Sequence, residues 1–165
     1  MTRNRSDFRF VFDVAHMEAA YSLAVSAYNS GEVPVGCVVV YNGKVIATGE
    51  NRNVRLSNPL AHAEMLALGA GFDILGTRYL SECDLYVTLE PCPMCAAAIS
   101  LARIKRLYFA VEDTKSGGVI NGAKVFTRSS CHHRPELIMG IMERECSQLL
   151  HRFFYNIRRF ERTYS

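Results

Sequence analysis

No stretch of this 165-residue chain approaches the ~18 consecutive apolar residues that a membrane span needs. The N-terminal arginines Arg3, Arg5 and Arg9 precede neither an apolar core nor a small-residue cleavage site, so a secretory signal is not expected. Asp7 and Asp13 speak against an organelle transit peptide, and the reading is a cytoplasmic protein. Nor is there an excess of one charge. Nineteen Lys and Arg against 16 Asp and Glu leave a net charge of +3, below the level at which charge alone singles out a nucleic-acid binder. No linker, repeat or low-complexity tract interrupts the chain. Its 49% apolar and 21% charged residues are those of an ordinary folded protein, and residues 1–165 fit a single domain. Six cysteines without an export signal do not imply a disulfide framework. Cys37 in a valine-rich segment and Cys146 on an apolar helix side read as small buried hydrophobes. Cys83 and Cys131 suggest no role.

Residues 1–14 read as an irregular N-terminal extension in which Phe8, Phe10 and Phe12 alternate. From Met17 the apolar positions Ala20, Tyr21, Ala24, Val25 and Tyr28 recur at helical spacing until Gly31 stops them. Val35 to Tyr41 and Lys44 to Thr48 read as strands joined by Asn42-Gly43, a strong hairpin signal. A loop from Glu50 to Pro59 leads to a helix starting near His62. Asp84 to Leu89 is a buried strand ended by Pro91, Pro93 to Arg103 a helix, and Leu107 to Val111 a strand. Such a strand–helix–strand unit makes its two strands parallel. Gly117-Gly118 marks a flexible loop. A long helix from about Gly140 to Arg162 carries the apolar stripe Met142, Cys146, Leu149, Leu150, Phe153 and Ile157. On another face Arg152, Tyr155, Arg159 and Arg162 form a basic strip with one aromatic, either a solvated face or a track for phosphates. The sum is an α/β protein with a mixed sheet of about five strands and helices on both faces.

His62-Ala63-Glu64 and Pro91-Cys92-Pro93-Met94-Cys95 carry the chemistry. One imidazole and two thiolates give zinc three N/S ligands and leave a fourth position for water, the layout of a catalytic rather than a structural site. A closed structural site would need another ligand, and Cys83, Cys131, His132 and His133 have no matching spacing. A redox C-x-x-C pair would need neither His62 nor Glu64. Cys92 and Cys95 share one face of a helix's first turn, where unsatisfied N–H groups favour the thiolate. His62 also opens a helix, so two helix N-termini are expected to converge on one ion. Residues two apart do not share a helix face, so His62 must stand at the very start of its helix if Glu64 is to reach the same cavity. Zinc lowers the pKa of its water from 15.7 to near 7. Glu64, not a ligand, is placed to take that proton and pass it on.

The pattern H-x-E … P-C-x-x-C resembles the signature of zinc-dependent nucleobase deaminases. Beyond it, the chain resembles the bacterial tRNA-specific adenosine deaminases of the cytidine/deoxycytidylate deaminase superfamily. The likeness runs through Glu32-Val33-Pro34-Val35-Gly36, Asn51-Arg52, Ala61-His62-Ala63-Glu64, Tyr86 to Cys92, Met94-Cys95, Asp113 with Lys115 and Gly117, and the tail His133-Arg134, Glu145-Cys146, Phe153-Phe154 and Arg158-Arg159. The resemblance implies a three-layer cytidine-deaminase-like fold and zinc-dependent conversion of adenosine to inosine at the wobble position of a tRNA anticodon stem-loop. It further implies a homodimer with one Zn2+ per subunit, held by His62, Cys92 and Cys95, and proton transfer by Glu64. Asn51 would hydrogen-bond the flipped nucleoside, Val35 and Ala63 would line the base pocket, and Asp113 would approach the ribose. From the residues alone, Asn51 reads rather as a turn residue, Asp113 as a turn cap and Lys115 as a solvated side chain. The chain departs from the resemblance at Glu50, where an aromatic residue is usual, and at Cys37, where alanine is common.

Overall fold

Asn42 and Gly43 both take positive φ, 49° and 73°, the pair of conformations that a type I′ hairpin requires. They join β1 (Gly36–Tyr41) to β2 (Lys44–Glu50), with Tyr41 opposite Lys44. The computed structural model describes the backbone of residues 5–164 and the side chains of residues 13–159. The remaining elements are α1 (Arg5–Asn29), α2 (Ala63–Leu75), β3 (Cys83–Leu89), α3 (Pro93–Ala102), β4 (Arg106–Val111), β5 (Glu136–Met139) and α4 (Glu143–Tyr164). They build one mixed sheet in the order β2-β1-β3-β4-β5. The pairs β1–β2 and β1–β3 are antiparallel, while β3–β4 and β4–β5 are parallel.

The alternation of side chains along the strands sorts the helices into layers. Cys37, Val39, Leu85, Val87, Leu107 and Phe109 face one way and pack with Ala67 and Leu68 of α2 and Ile99 of α3. Val38, Val40, Tyr86, Tyr108 and Ala110 face the other way, against Met17 and Ala20 of α1 and Cys146 of α4. This is a three-layer α/β arrangement with the sheet in the middle. Cys37, Cys83 and Cys146 are buried in these two cores.

Two expectations from sequence are corrected. Residues 5–14 are helical, not irregular, because α1 begins at Arg5. No glycine or proline interrupts residues 5–29, so the helix docked on the sheet propagates backwards at little cost. The side chains of Phe8, Phe10 and Phe12 lie outside the described residues. The expected count of about five strands holds, its unassigned member being β5, which precedes α4, is only four residues long and lies on the edge of the sheet. The last helix starts at Glu143, after Gly140 and Met142 have taken positive φ of 90° and 59°.

The helices sit close enough to the sheet to demand glycine. A Cβ on Gly49 would lie 2.1 Å from the Ala63 carbonyl oxygen and 2.7 Å from the Ala67 nitrogen. Both are backbone atoms of α2 and cannot swing away. Gly49→Ala is therefore expected to push α2 off β2 and lower stability by about 1–3 kcal/mol or more, read as a fall in urea midpoint. An unchanged midpoint would mean that the contact is softer than the geometry requires.

Candidate active site

β3 leaves the sheet at Leu89 and runs through Glu90 and Pro91 into α3. Pro93 occupies the first turn of that helix, where its missing N–H costs nothing. Cys92 is the N-cap, with extended backbone (φ −66°, ψ 170°). His62 is the N-cap of α2, also extended (φ −74°, ψ 151°). Neither side chain caps its own helix; each turns toward the other. His62 Nδ1 lies 3.6 Å from Cys92 Sγ and 3.5 Å from Cys95 Sγ.

A tetrahedral zinc with Zn–S near 2.3 Å and Zn–N near 2.0–2.1 Å holds its N and S ligands about 3.5 Å apart. The observed separations match that edge length, so the three residues fit the ion. Among the described residues, the ligand group consists of these three, whose donor atoms lie within 4.8 Å of one another. Cys83, Cys131, His132 and His133 are not part of it. Cys131 instead places its Sγ 3.4 Å from Ser100 Oγ and 3.1 Å from the His133 carbonyl. The Cys95 thiol and the His62 ring beside Cys92 hold its thiol down at about 4, a ready thiolate. The Cys92 sulfur and burial in turn push Cys95 up.

Glu64, the second residue of α2, is 4% exposed. Burial lifts its carboxyl to about 7, so both protonation states are accessible near neutrality. The two-residue spacing from His62 succeeds because His62 is still extended and only Glu64 follows the helix. His62, Glu64 and Cys92 line a cavity of about 430 Å³, together with Val35, Asn51 and Asp113. This volume lies in the range of small-molecule sites.

Asn51 is the acceptor for the first N–H of α2, with its Oδ1 3.0 Å from Ala63 N. It therefore supplies from twelve positions upstream the cap that His62 cannot give, and its NH2 is left as the remaining side-chain polar group. Asp113 does cap its own turn: Oδ1 accepts from Lys115 N and Ser116 N, both at 3.0 Å. Ala63 is the exception among the residues expected to contact the nucleoside. It is fully buried in the core under α2 and does not line the cavity, because the helix start presses it against β2.

Glu90 was not singled out from sequence, yet it organises the loop beside the cysteines. Its carboxylate is 2% exposed. Oε1 accepts the N–H groups of Val119, Ile120 and Asn121 at 2.9–3.1 Å, and Oε2 accepts Asp113 N at 2.9 Å and Asn121 Nδ2 at 2.8 Å. Burial favours the neutral acid, but these five bonds outweigh it and hold the pKa below the ordinary carboxylate value. The Gly117-Gly118 segment is therefore tied down rather than loose. Gly118 N donates to Pro91 O at 2.8 Å, and a Cβ there would lie 2.5 Å from Pro93 N. The sequence offers one hint: an acid directly after the apolar strand Tyr86-Val87-Thr88-Leu89.

α4 closes the cavity with Phe153, Phe154 and Ile157. The face it turns inward continues to Leu150, His151 and Arg158 along an adjoining groove that Lys115 also lines. This is not the Arg152–Tyr155–Arg159 strip singled out by spacing, whose Arg152 and Tyr155 are exposed; the Arg162 side chain lies outside the described residues.

Residues 11–111 match the family model described as the cytidine and deoxycytidylate deaminase zinc-binding region. The chain is 46% identical over 138 residues to a tRNA-specific adenosine deaminase of Agrobacterium fabrum, covering 84% of this chain and 91% of that protein. It is 38% identical over 147 residues to the tRNA-specific adenosine deaminase of Bacillus subtilis, covering 89% and 91%. It also superposes with a TM-score of 0.81 and 46% identity on a solved structure from work on A-to-I editing by tRNA deaminases at the wobble position of transfer RNA, covering 82% of this chain and 99% of that one. With its histidine and two cysteines at ligand distance, its buried glutamate beside them and its sheet order, this chain belongs to the zinc-binding cytidine and deoxycytidylate deaminase family.

Proposed function

We propose that this protein is a zinc-dependent hydrolase that converts adenosine to inosine at the wobble position of tRNA anticodons. One observation carries the reading: a His–Cys–Cys trio at ligand distance borders, through His62 and Cys92, the cavity that a non-ligand carboxyl also lines, in a chain whose near-full-length relatives are named tRNA-specific adenosine deaminases. His62, Cys92 and Cys95 would hold one Zn2+ per subunit. Bound there, zinc supplies a Lewis acid that makes water acidic near neutral pH.

Glu64 takes a proton from the attacking water and delivers it to the purine N1 as the C6–O bond forms. A second proton passes through the same carboxyl to the departing amine, the C6–N bond breaks, and ammonia leaves. Water and adenosine become inosine and ammonia. A carboxyl with a pKa of about 7 suits a group that must both accept and donate. Asn51 donates its NH2 to the flipped nucleoside, Val35 packs on the base, and Asp113 approaches the ribose. A contact at the 2′-hydroxyl distinguishes RNA from DNA. The partner is the anticodon stem-loop, which places the enzyme in the cytoplasm, and the working unit is a homodimer. Apolar side chains left exposed on adjacent helices, Ile74 at 59% and Leu101 at 77%, offer surface for that pairing. No helix of the described residues is long and apolar enough to cross a membrane.

The test sets an anticodon stem-loop carrying adenosine at the wobble position against free adenosine, cytidine and guanine. Inosine in the RNA with matching ammonia release is expected. Turnover of a free base or nucleoside alone would make it a small-molecule deaminase. RNA binding without ammonia would leave a zinc-stabilised RNA-binding protein.

A further inference from the structure

The loop between β2 and α2 is anchored by two buried carboxylates and one guanidinium. Glu32 is 1% exposed and Glu50 5%. Glu32 accepts Val54 N at 3.1 Å and Arg55 N at 2.8 Å, and Arg55 Nε lies 3.5 Å from the same carboxylate. Arg55 Nη2 donates to Glu50 Oε1 at 3.0 Å and to the Asn51 carbonyl oxygen at 2.9 Å. Arg52 Nη2 adds a longer contact to Glu50, 3.5 Å. Burial works to neutralise both acids, and the bonds each accepts more than offset it.

Asn51 is thereby held at three points. Its N–H donates to Val35 O at 3.1 Å, its carbonyl accepts from Arg55, and its Oδ1 accepts from Ala63 N. Only the planar guanidinium can serve both carboxylates and that carbonyl at once. Lysine offers a point charge without the fork, and bonds to ionised groups are roughly twice as strong as neutral ones.

We propose that Arg55, anchored by Glu32 and Glu50, is a positioning residue that fixes the Asn51 amide as a hydrogen-bond donor into the cavity. The inference rests on the reading that Asn51 contacts the bound nucleoside. It gives a reason for Glu50, which departs from the aromatic residue expected there: this loop is set by charge instead of by ring packing.

The experiment uses the full chain and whichever substrate the unchanged protein turns over. Arg55→Lys keeps a cation between the two acids, so the protein is expected to fold and keep its zinc content, with a modestly lower melting temperature from the lost fork. Its kcat/KM should fall between about 10- and 100-fold, the penalty for displacing a positioning group by up to 1 Å. Asn51→Asp keeps the acceptor for Ala63 N but removes the donor. The double variant should be no slower than Asn51→Asp alone, since Arg55 acts through that donor. Should Arg55→Lys destabilise the loop, Glu50→Gln removes one anchor with little change in shape and should show the same lack of additivity. Multiplying losses would overturn the positioning role while leaving the Asn51 contact intact. Full activity in Asn51→Asp would overturn both, and full activity in Arg55→Lys would overturn the inference alone.

Discussion

Glu64→Gln is expected to keep one zinc per chain and to lose turnover by about 10²–10⁴-fold, the usual worth of a positioned acid–base group. The substitution preserves shape, so the buried position that Glu64 occupies stays filled. His62, Cys92 and Cys95 are untouched, and no other His, Cys, Asp or Glu joins their group among the described residues. What disappears is a group that can lose and regain a proton. Metal analysis beside an ammonia-release assay separates the two effects. Wild-type turnover in Glu64→Gln would remove the carboxyl from the mechanism; loss of zinc together with activity would make it a structural support of the ligands.

Glu90→Gln should cost about 2–6 kcal/mol of stability. Each buried donor stranded without an acceptor costs about 1–3 kcal/mol, and whichever way the new amide sits, at least two of the five donors now meet an NH2. The damage should reach the metal, because the loop that Glu90 gathers bonds to Pro91 O and packs on Pro93. Zinc loss to a chelator should therefore be faster in the variant. The acid response follows from the sign of the shift. Glu90 titrates below its ordinary value of 4.5, so its contribution is complete above that value and is lost as pH falls through the folded-state pKa. Unfolding midpoints of Glu90→Gln should show a smaller decline over that acid range than those of the unchanged protein. Equal declines, or an unchanged midpoint at pH 7, would sink this account.

Elements with strong local signals could be read directly from the residues: the Asn42-Gly43 hairpin, the apolar run at 84–89, and the proline-led helix after Cys92. The candidate metal group was legible for the same reason, since two of its members sit three residues apart and the third is tied to a recognisable glutamate. Less visible were features whose cause lies elsewhere in the chain. Glu-Leu-Ile-Met at 136–139 is too short to show a period, and becomes a strand because the edge of β4 is available. Glu90 looks like any acid until the amides of residues 113–121 arrive around it. Asn51 lines the cavity as expected but also caps α2 from a distance, and Ala63, expected on the wall, lies beneath it. Spacing along α4 picked out a basic strip, whereas docking against the cavity selected Phe153, Phe154 and Ile157.

That last arrangement has a consequence for synthesis. The candidate ligands and the proposed proton carrier lie between residues 62 and 95, but one wall of the chamber comes from residues 153–157. Translation delivers the N-terminal parts first. A nascent chain would therefore own its candidate reactive groups well before it could shut them away from solvent, and shedding its final turns would reopen the chamber without touching His62, Glu64, Cys92 or Cys95.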